Sequence, residues 1–354
     1  MISILQPLIP HYREDFFKGL NNKYGIKVYC YEKEATLQGF NQSNFSHLYI
    51  KNITFGPFLI YSPFPLLKNN KKIVLMLHIG HITTWILLLT KKLHKRKITL
   101  WGHGISVKRY IAEEKKPSVI MKLMVSLADS IWLYTDKEKK IWSEIFPEKN
   151  IIALNNTISD VERIVSYKPK ENLADLRKKY AITHEKCFIF CARFNTPYRR
   201  VDLLEDIIIK LGVENYGFII IGEGDYKPDF SKYSNVYDFG SVYDGQIKDD
   251  LFSIADMYIQ PAYIGLSLVE ALAYGLPVFT FKRSIEIFQG VEYSYLIDGF
   301  NAVISEGVED FINKLTLLPW HKIKEMGINA NQYVKENLMI NNMVLNAKKT
   351  LVNP

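Results

Sequence analysis

The sequence predicts an α/β protein with two doubly wound, Rossmann-like domains in tandem. Short β-rich runs alternate with longer helix-like segments, as a parallel sheet covered on both faces requires. At 354 residues the chain is long enough for two domains, each with its own core. A charged, strand-free segment, residues 161–185, separates two such series. We place the linker near residues 160–172, between an N-terminal domain at 1–165, completed by a helix at about 336–354, and a C-terminal domain at 166–335.

Apolar runs predict the strands of each domain. The first half contains ISILQP, IKVYCY, KIVLML, KITLWG and SIWLYT, and the second contains CFIFCARF, GFIIIG, MYIQPA and LPVFTF. Three segments have the apolar spacing of helices: FFKGLNNKY, SVIMKLMVSLAD and KEKKIWSEIF. Ligands of such folds bind outside the carboxyl ends of the strands, so we expect functional residues directly after each strand, facing the cleft between the two domains.

The composition is that of a folded protein, with 48% hydrophobic and 23% charged residues. The first residues show no charged region before the apolar run and no cleavage site, so we predict no secretory signal. Cys30, Cys187 and Cys191 form no CxxC pair and lie in apolar runs, which favours reduced core thiols. These features predict a cytoplasmic protein, with the inner face of the cell membrane as one option.

The formal net charge of +8 suits nucleic acid, anionic lipid or phosphorylated ligands. No recognisable module interleaves aromatic and basic residues, so nucleic-acid binding ranks last. Residues 82–97 place Trp85 and a leucine run before a basic cluster, which consists of Lys91, Lys92, Lys95, Arg96 and Lys97. This pattern fits a peripheral helix on an anionic bilayer and, equally, a buried helix with a solvated basic end.

The most informative stretch is residues 255–281, ADMYIQPAYIGLSLVEALAYGLPVFTF. A strand ends near Gln260, a tight loop carries Gly265, and a helix follows. The glycine allows close approach of a ligand, and the positive start of the helix suits a diphosphate. Glu270, one turn into the helix, is placed to accept hydrogen bonds from ribose hydroxyls. The alternative is a capping box, in which Ser267 and Glu270 only tie off the helix start.

This stretch resembles the nucleotide-sugar signature of the retaining glycosyltransferase family four, the glycosyl transferases group 1, which has the two-lobed GT-B fold. The resemblance extends in order through CARFNTPYRRVDLL, IIIGEGD and VYDFGSV in the second half. It reaches the first half through PHYREDFFKGL, LWGHGIS and LNNTIS. Each fragment is weak alone, whereas their order and spacing together are specific.

The resemblance implies a donor site in the second domain. Its members are Arg193, Arg199, Arg200, Gly222, Gly224, Gly265, Leu266, Ser267, Glu270 and Glu292. Arg193 and either Arg199 or Arg200 would hold the donor diphosphate, because guanidinium groups fork onto phosphate oxygens. Gly222 and Gly224 would lie near the nucleotide, although a strand-ending turn also explains them.

The chain departs from the family at two places in this site. The first of two family glutamates, which contacts the donor sugar, is replaced by Ala262. Some members with a Pro-x-x-x-Gly-Leu loop also lack this acid. Gln289 and Val291 stand where the family has His and Pro before Glu292. Glu292 is either a second site acid or an exposed carboxylate at a strand edge.

In the first half, His103 lies between two glycines directly after a strand, which favours contact with the donor sugar or the leaving phosphate over a turn histidine. His11 and Arg13 follow the first strand and are the candidates for acceptor binding, Arg13 before His11. The pair His78 and His81 lacks further ligands, and no Asp-x-Asp element is present. We therefore predict no metal site and no cofactor besides the nucleotide-sugar co-substrate.

The function that the resemblance implies is retaining, metal-independent transfer of a hexose from a UDP- or GDP-sugar, with UDP favoured. His103, Arg193 and Arg199 would act in catalysis. The acceptor would be a glycan or lipid-linked glycan of a surface polysaccharide, such as a capsule or lipopolysaccharide. Two alternatives are a nucleotide-sugar epimerase of the same fold and, because of Ala262, a non-catalytic nucleotide-sugar-binding protein.

Overall fold

A computed structural model describes residues 2–32, 45–68 and 71–351 of the chain. The chain divides into two compact units. Unit 1 comprises Met1–Asp160 and Leu338–Pro354, and unit 2 comprises Val161–Asn337. The limits that we predicted, 165 and 335, differ from these by a few residues.

Unit 1 is built on a parallel sheet. Its strands are β1 Ile2–Gln6, β2 Ile26–Cys30, β3 Leu48–Tyr49, β4 Asn52–Phe55, β5 Phe58–Tyr61, β6 Lys72–Met76, β7 Lys97–Trp101, β8 Ser130–Leu133 and β9 Asn150–Ala153. Its helices before the linker are α1 Glu14–Tyr24, α2 Phe64–Leu67, α3 Ile82–Leu89, α4 Lys91–His94, α5 Tyr110–Lys115, α6 Val119–Leu127 and α7 Asp136–Ile145. The sheet order is β3-β2-β1-β6-β7-β8-β9, and β4 and β5 form a separate antiparallel hairpin.

Unit 2 repeats this plan. Its strands are β10 Cys187–Cys191, β11 Gly217–Ile221, β12 Val236–Asp238, β13 Met257–Ile259, β14 Val278–Phe281 and β15 Ala302–Ser305. Its helices are α8 Val161–Val165, α9 Leu173–Lys179, α10 Val201–Leu211, α11 Gly245–Ile254, α12 Ser267–Ala273, α13 Val308–Leu317 and α14 Trp320–Asn337. All strand pairs of this sheet are parallel, in the order β12-β11-β10-β13-β14-β15. The predicted fold class, two doubly wound α/β domains, is confirmed.

The predicted elements agree with the structure where apolar runs are long. Each predicted strand run contains an observed strand, and the three predicted helices correspond to α1, α6 and α7. Strands β3, β9 and β15 and the β4–β5 hairpin were not predicted. The predicted linker, near residues 160–172, starts where the two units divide, and it contains α8, the first helix of unit 2.

Aromatic side chains fill both cores. In unit 1, Trp101 and Trp132 lie on neighbouring strands, are fully buried and meet edge to face at 5.6 Å. In unit 2, Phe188 stacks on Phe218 at 5.4 Å between ring centroids. Rigid sheets of this kind fix the positions at which their carboxyl-end loops begin.

The last helix, α15 Ile340–Leu351, belongs to unit 1. It packs against α1 and β9. The indole N–H of Trp132 donates to Thr350 Oγ1 at 2.6 Å, and Lys72 Nζ donates to the Leu351 carbonyl at 2.8 Å. The end of the chain is therefore an integral part of the first unit. In the described part of the chain, no helix is both long and apolar enough to cross a membrane.

Candidate functional site

The strand order of unit 2 changes direction between β10 and β13. From β10 the chain moves outward through β11 to β12 and then returns to place β13 on the other side of β10. Connections that leave two adjacent parallel strands in opposite directions open a crevice at their carboxyl ends. Cys191 ends β10 and Ile259 ends β13, so the loops that follow them border this crevice.

The loop after β10 carries three arginines in different environments. Arg200 has a left-handed backbone, with φ of 49°, and its guanidinium contacts the Asp202 carboxylate at 2.7 Å. Arg199 is half-buried, and its Nε has no hydrogen-bond partner among the described residues. Arg193 is exposed. The structure thus distinguishes the two candidates, since Arg200 is engaged by its neighbour and Arg199 is available to a ligand.

Arg199 experiences an unfavourable environment for its charge. Burial lowers the pKa of its guanidinium below the ordinary value, and the positive charge of Arg193 lowers it further. Its guanidinium carbon lies 5.9 Å from the centre of the Tyr263 ring. A bound anion would relieve the repulsion between the two arginines. The loop therefore has the electrostatics of an anion-binding site.

Glu270 lies in the first turn of α12 and does not cap it. The helix begins at Ser267, and no side chain caps its first turn. Ser267 Oγ instead donates to Gln260 Oε1 at 3.0 Å. The Glu270 carboxylate forms an ion pair with Lys248, with 2.7 Å between Nζ and Oε1. The capping-box alternative is therefore wrong for Ser267 and Glu270.

Lys248, on α11, is the site residue that the sequence analysis missed. Burial opposes its charge, but the Glu270 carboxylate outweighs burial and holds the Lys248 pKa above its ordinary value. The lysine therefore stays protonated at neutral pH. Its segment, GQIKDDLF, reads as an ordinary amphipathic surface helix, where a lysine is usually solvated. Only the approach of α11 to α12 reveals its role.

Cys191 lies among these charged groups. The charges of Lys248, Glu270 and Arg199 all affect the pKa of its thiol, as expected for side chains carried by the elements around the end of β10. Burial raises the pKa of the Cys191 thiol to about 11. The thiol therefore remains protonated at neutral pH and is a poor nucleophile.

Two buried glutamines hold the loop that connects β13 to α12. Gln260 accepts from the Tyr258 hydroxyl at 2.8 Å and donates to the carbonyl of Tyr263 at 3.0 Å. Gln289 accepts from the Ile264 N–H at 3.0 Å and donates to the carbonyl of Pro261 at 3.1 Å. Gln289 thus bonds to the loop through both its oxygen and its nitrogen, whereas Gln260 bonds to the loop through its nitrogen and to β13 and the start of α12 through its oxygen. This crosslinking fixes the start of α12, and hence Glu270.

The family departure at Ala262 has a structural counterpart. Ala262 is fully buried and belongs to the hydrophobic core of unit 2. The next residue, Tyr263, adopts a left-handed backbone with φ of 53°. Its ring contacts the ring of Tyr198, with centroids 6.0 Å apart. On this backbone, a carboxylate at 262 would be buried among apolar side chains.

The predicted glycines have different environments. A Cβ on Gly222 would lie 2.1 Å from the Ala192 carbonyl oxygen, and one on Gly224 would lie 2.5 Å from the backbone of Phe194. The packing of the loop after β10, which we call the arginine loop, against the end of β11 therefore explains both glycines, and no ligand is needed to explain them. Around Gly265, in contrast, a Cβ would meet no atom within 4 Å. Open space at this position, beside Leu266, is compatible with a ligand at the start of α12.

Glu292 is buried and lies in a short 3-10 helix, Val291–Tyr295. The alternative of an exposed strand-edge carboxylate is therefore wrong. The helix follows Gly290, whose N–H donates to the Ile264 carbonyl at 2.9 Å. Glu292 thus belongs to the segment that supports the loop before α12.

In unit 1, the predicted residues gather at the carboxyl end of the sheet. His103 is exposed, and its ring meets that of Tyr134 edge to face at 4.5 Å. Arg13 is buried, lies 5.4 Å from the same Tyr134 ring and donates to Asn156 Oδ1 at 3.2 Å. His11 is exposed at the start of a 3-10 helix, His11–Arg13. Tyr134, which the sequence analysis did not single out, connects the two predicted regions.

The glycines beside His103 are explained by packing. A Cβ on Gly104, which has φ of 72°, would lie 2.6 Å from Trp142 Nε1, and one on Gly102 would lie 2.9 Å from Leu77 Cβ. They therefore give no independent evidence for a ligand near His103.

His78 and His81 lie close together, with ring centroids 4.8 Å apart. Burial lowers the pKa of His81 to about 4, with a further contribution from His78. Among the described residues, no group of three metal-ligating side chains is found.

Comparison with known proteins finds a family match within unit 2. Residues 185–318 match the family described as glycosyl transferases group 1. An uncharacterized glycosyltransferase from Haemophilus influenzae is 25% identical over 205 residues, which is 55% of this chain and 53% of that protein. The chain thus matches about half the length of this curated relative.

Three solved structures share the fold over nearly the full length of both chains. Sucrose-phosphate synthase from Thermosynechococcus elongatus has a TM-score of 0.68 at 12% identity, covering 98% of this chain and 97% of that one. Anabaena HepE in complex with UDP has a TM-score of 0.66 at 13% identity, covering 99% and 98%. WaaG, a glycosyltransferase involved in lipopolysaccharide biosynthesis, has a TM-score of 0.61 at 13% identity, covering 100% of both chains.

Together these similarities confirm the resemblance to group 1 glycosyltransferases and the GT-B fold. At such low identity the solved structures establish the fold alone. Retention of configuration, assignment to family four and the roles of individual site residues stay predictions.

The buried amide of Gln289 gives a first prediction. Gln289→Met removes hydrogen bonds to the Ile264 N–H and to the carbonyls of Pro261 and Phe281. Since each buried group left unsatisfied costs about 1–3 kcal/mol, we expect the free energy of unfolding to fall by about 3 kcal/mol or more. Urea denaturation measures this, with Gln332→Met, at an exposed position of α14, as the matched control. Equal stability of the two variants would contradict the supporting role of Gln289.

Proposed function

We propose that the chain transfers a sugar from a nucleotide sugar to a glycan acceptor, because residues 185–318 match the glycosyl transferases group 1. The observation that supports this most directly is the convergence of Arg193, Arg199, Lys248 and Glu270 at the crevice between β10 and β13. Three cations and one carboxylate there provide complementary groups for the two polar parts of a nucleoside diphosphate.

The cations are proposed to hold the diphosphate of the donor. Arg199 has an unused, buried Nε, and Arg193 adds positive charge beside it. Lys248 is held protonated by Glu270. Positive groups fixed before the reaction stabilise the charge that develops on a leaving diphosphate, because they need not reorganise when the bond breaks.

Glu270 is proposed to bind the ribose. Lys248 contacts Oε1 of its carboxylate, which leaves the second oxygen to accept hydrogen bonds from ribose hydroxyls. The buried amides of Gln260 and Gln289 keep the start of α12 in place for this contact. UDP is the favoured donor nucleotide, and the similarity to a fold that binds UDP in Anabaena HepE supports this choice.

The transfer is proposed to proceed with retention and without a metal. The acceptor hydroxyl would attack the anomeric carbon from the face on which the diphosphate leaves. The bond from the anomeric carbon to the phosphate oxygen breaks, the bond to the acceptor oxygen forms, and a phosphate oxygen takes the hydroxyl proton. Arg193, Arg199 and Lys248 would neutralise the departing charge, as a divalent cation does in other phosphate sites.

The acceptor is proposed to be a glycan, in lipid-linked form, bound through unit 1. His11 and His103 are exposed at the carboxyl end of the unit 1 sheet, where ligands of doubly wound folds bind. Arg13 is buried beneath them against Tyr134 and is proposed to position this surface. The fold similarity to WaaG supports an acceptor in surface polysaccharide biosynthesis.

The proposal is tested by a donor screen that measures both binding and transfer. UDP, GDP, ADP and the corresponding nucleotide sugars are titrated into the protein by calorimetry. Transfer of radiolabelled sugar to extracted lipid-linked glycans is then measured with and without EDTA. We expect one nucleotide to bind and transfer to persist in EDTA. Binding without transfer to any acceptor would favour the non-catalytic alternative. Conversion of the sugar nucleotide to its epimer would favour an epimerase.

The arginine loop gives a matched pair of variants. Arg199→Ala removes the available guanidinium, and since a hydrogen bond to a charged group contributes about 1.5–3 kcal/mol, binding of UDP should weaken about 10- to 100-fold. Arg200→Gly is the control, because glycine tolerates the left-handed backbone at this position and Arg200 is engaged by Asp202. Its affinity for UDP should change less than about threefold. The reverse order of effects would assign the diphosphate to Arg200.

A further inference from the structure

Unit 1 exposes an unusual amount of apolar surface on three neighbouring elements. They are the β4–β5 hairpin, the α3–α4 segment and α6. The proposed transfer chemistry in unit 2 does not use any of them. Large apolar side chains that remain exposed together usually mark a binding surface.

The hairpin presents a wholly apolar outer face. In its register, Ile53 lies opposite Ile60, and Phe55 lies opposite Phe58. Directly paired residues share one face of a hairpin, so these four side chains form a single patch. Each of them is exposed, Phe55 to 79%. On the opposite face, Leu59 and Tyr61 are buried.

The two helical elements each carry an apolar stripe. Ile86, Leu89 and Leu93 are spaced by three and four positions and are exposed, Leu93 to 82%. On α6, exposed Val119 and Leu123 are four positions apart. Residues at these spacings lie on the same side of a helix. The stripes face outward, since Leu87 and Leu88 of α3 and Met124 and Val125 of α6 provide the buried contacts.

Contacts between the elements join these stripes and the hairpin patch into one surface. The hairpin is bonded to the start of α3, because the Tyr61 N–H donates to Thr83 Oγ1 at 2.9 Å. Helix α3 also packs against α6. Lys91, which follows α3, donates to the Leu127 carbonyl at the end of α6 at 2.8 Å. We call the exposed apolar side chains of these three elements the apolar face.

The part of the sequence that carries the hairpin and α3–α4 is free of acidic residues, whereas Glu113, Glu114 and Asp129 flank α6. Residues 35–112 contain eleven Lys or Arg and no Asp or Glu. Exposed lysines border the stripes, with Lys92 and Lys95 beside Leu93, and Lys115 and Lys116 before Val119. In the whole chain, by contrast, 37 acidic residues accompany 45 basic ones. This segregation of charge gives the hairpin and α3–α4 part of the apolar face a positive rim.

We propose that the apolar face docks on the surface of an anionic lipid bilayer, with the tip of the β4–β5 hairpin and the stripes of α3–α4 and α6 in contact with the lipid. Apolar side chains surrounded by lysines match the two layers of such a surface, its acyl chains and its negative headgroups. Helix α3 has eight residues, about 12 Å, whereas the hydrocarbon core is about 30 Å thick, so the contact is peripheral. The proposal extends the predicted contact of residues 82–97 to the hairpin and α6.

Docking would deepen the proposed function, because it places the enzyme where a lipid-linked acceptor lies. Its test does not depend on that function, since vesicle binding requires neither donor nor acceptor. Failure to bind vesicles with normal sugar transfer would remove the docking proposal alone. Failure of nucleotide binding with normal vesicle binding would remove the proposed function alone.

The experiment is vesicle flotation of the full chain with phosphatidylcholine vesicles, with and without phosphatidylglycerol, at low and high salt. We expect binding only to the anionic vesicles, weakened by salt. Phe55→Ser/Leu93→Ser should reduce the partition coefficient about tenfold or more, through lost apolar burial. Lys92→Glu/Lys95→Glu should reduce it about tenfold or more, through lost attraction to the headgroups.

Control variants lie in unit 2. Leu317→Ser removes a side chain that is 81% exposed, and Lys170→Glu reverses an exposed charge, so both should bind vesicles as the wild type does. Unchanged thermal unfolding shows that the unit 1 variants remain folded. The proposal is overturned if the wild type ignores anionic vesicles, or if the two sets of variants behave alike. It is also overturned if the wild type is a dimer that Phe55→Ser/Leu93→Ser dissociates and no vesicle binding occurs, which would identify a second copy as the occupant.

Discussion

The reversal of strand order between β10 and β13 is the constraint on which the candidate donor site depends. Because adjacent parallel strands send their connections in opposite directions at this point, their carboxyl-end loops separate and leave room for a ligand. Arg193 and Arg199 follow β10, and Glu270 follows β13. The same reversal occurs between β1 and β6 in unit 1, where Arg13 and His81 follow the two strands.

Packing and charge have separate roles around this crevice. Gln260 and Gln289 are fully buried and satisfied, and they hold the loop without facing solvent. The charges of Arg199 and Lys248 are destabilised in part, because burial opposes the charged form of each side chain. Stable scaffolds commonly carry such strained electrostatics where a ligand of opposite charge completes the site. This division explains how the glutamines can hold the loop before α12 while Arg199 remains available.

Much of the fold was predictable because its signals are local. Runs such as CFIFC and GFIII predict buried parallel strands by their composition alone. Glu270 was predicted because it follows a strand, a tight loop and a helix start that are contiguous in sequence. Lys248 was not predictable, because it reaches Glu270 from another helix and nothing in its own segment marks it. The choice between Arg199 and Arg200 needed a backbone angle and the position of Asp202. The hairpin was missed because its outer face is apolar: β4 alternates polar and apolar residues, but its apolar residues are exposed, and β5 is apolar throughout.

The ion pair of Lys248 with Glu270 is visible in the structure but not in the sequence. It is central to the proposal that Glu270 and three cations, Arg193, Arg199 and Lys248, bind a nucleotide donor at the β10–β13 crevice. A family member that had lost donor binding would retain the fold without needing this arrangement.

The most direct measurement is a calorimetric titration of UDP into the wild type, Glu270→Gln, Lys248→Met and the double variant. The account predicts that each single change weakens UDP binding about tenfold or more, since each removes a charged hydrogen-bonding group, while thermal unfolding shows intact folds. It further predicts that the double variant is less affected than the sum of the single changes, because the two side chains form one unit. Wild-type affinity in both single variants would contradict the donor site at its centre.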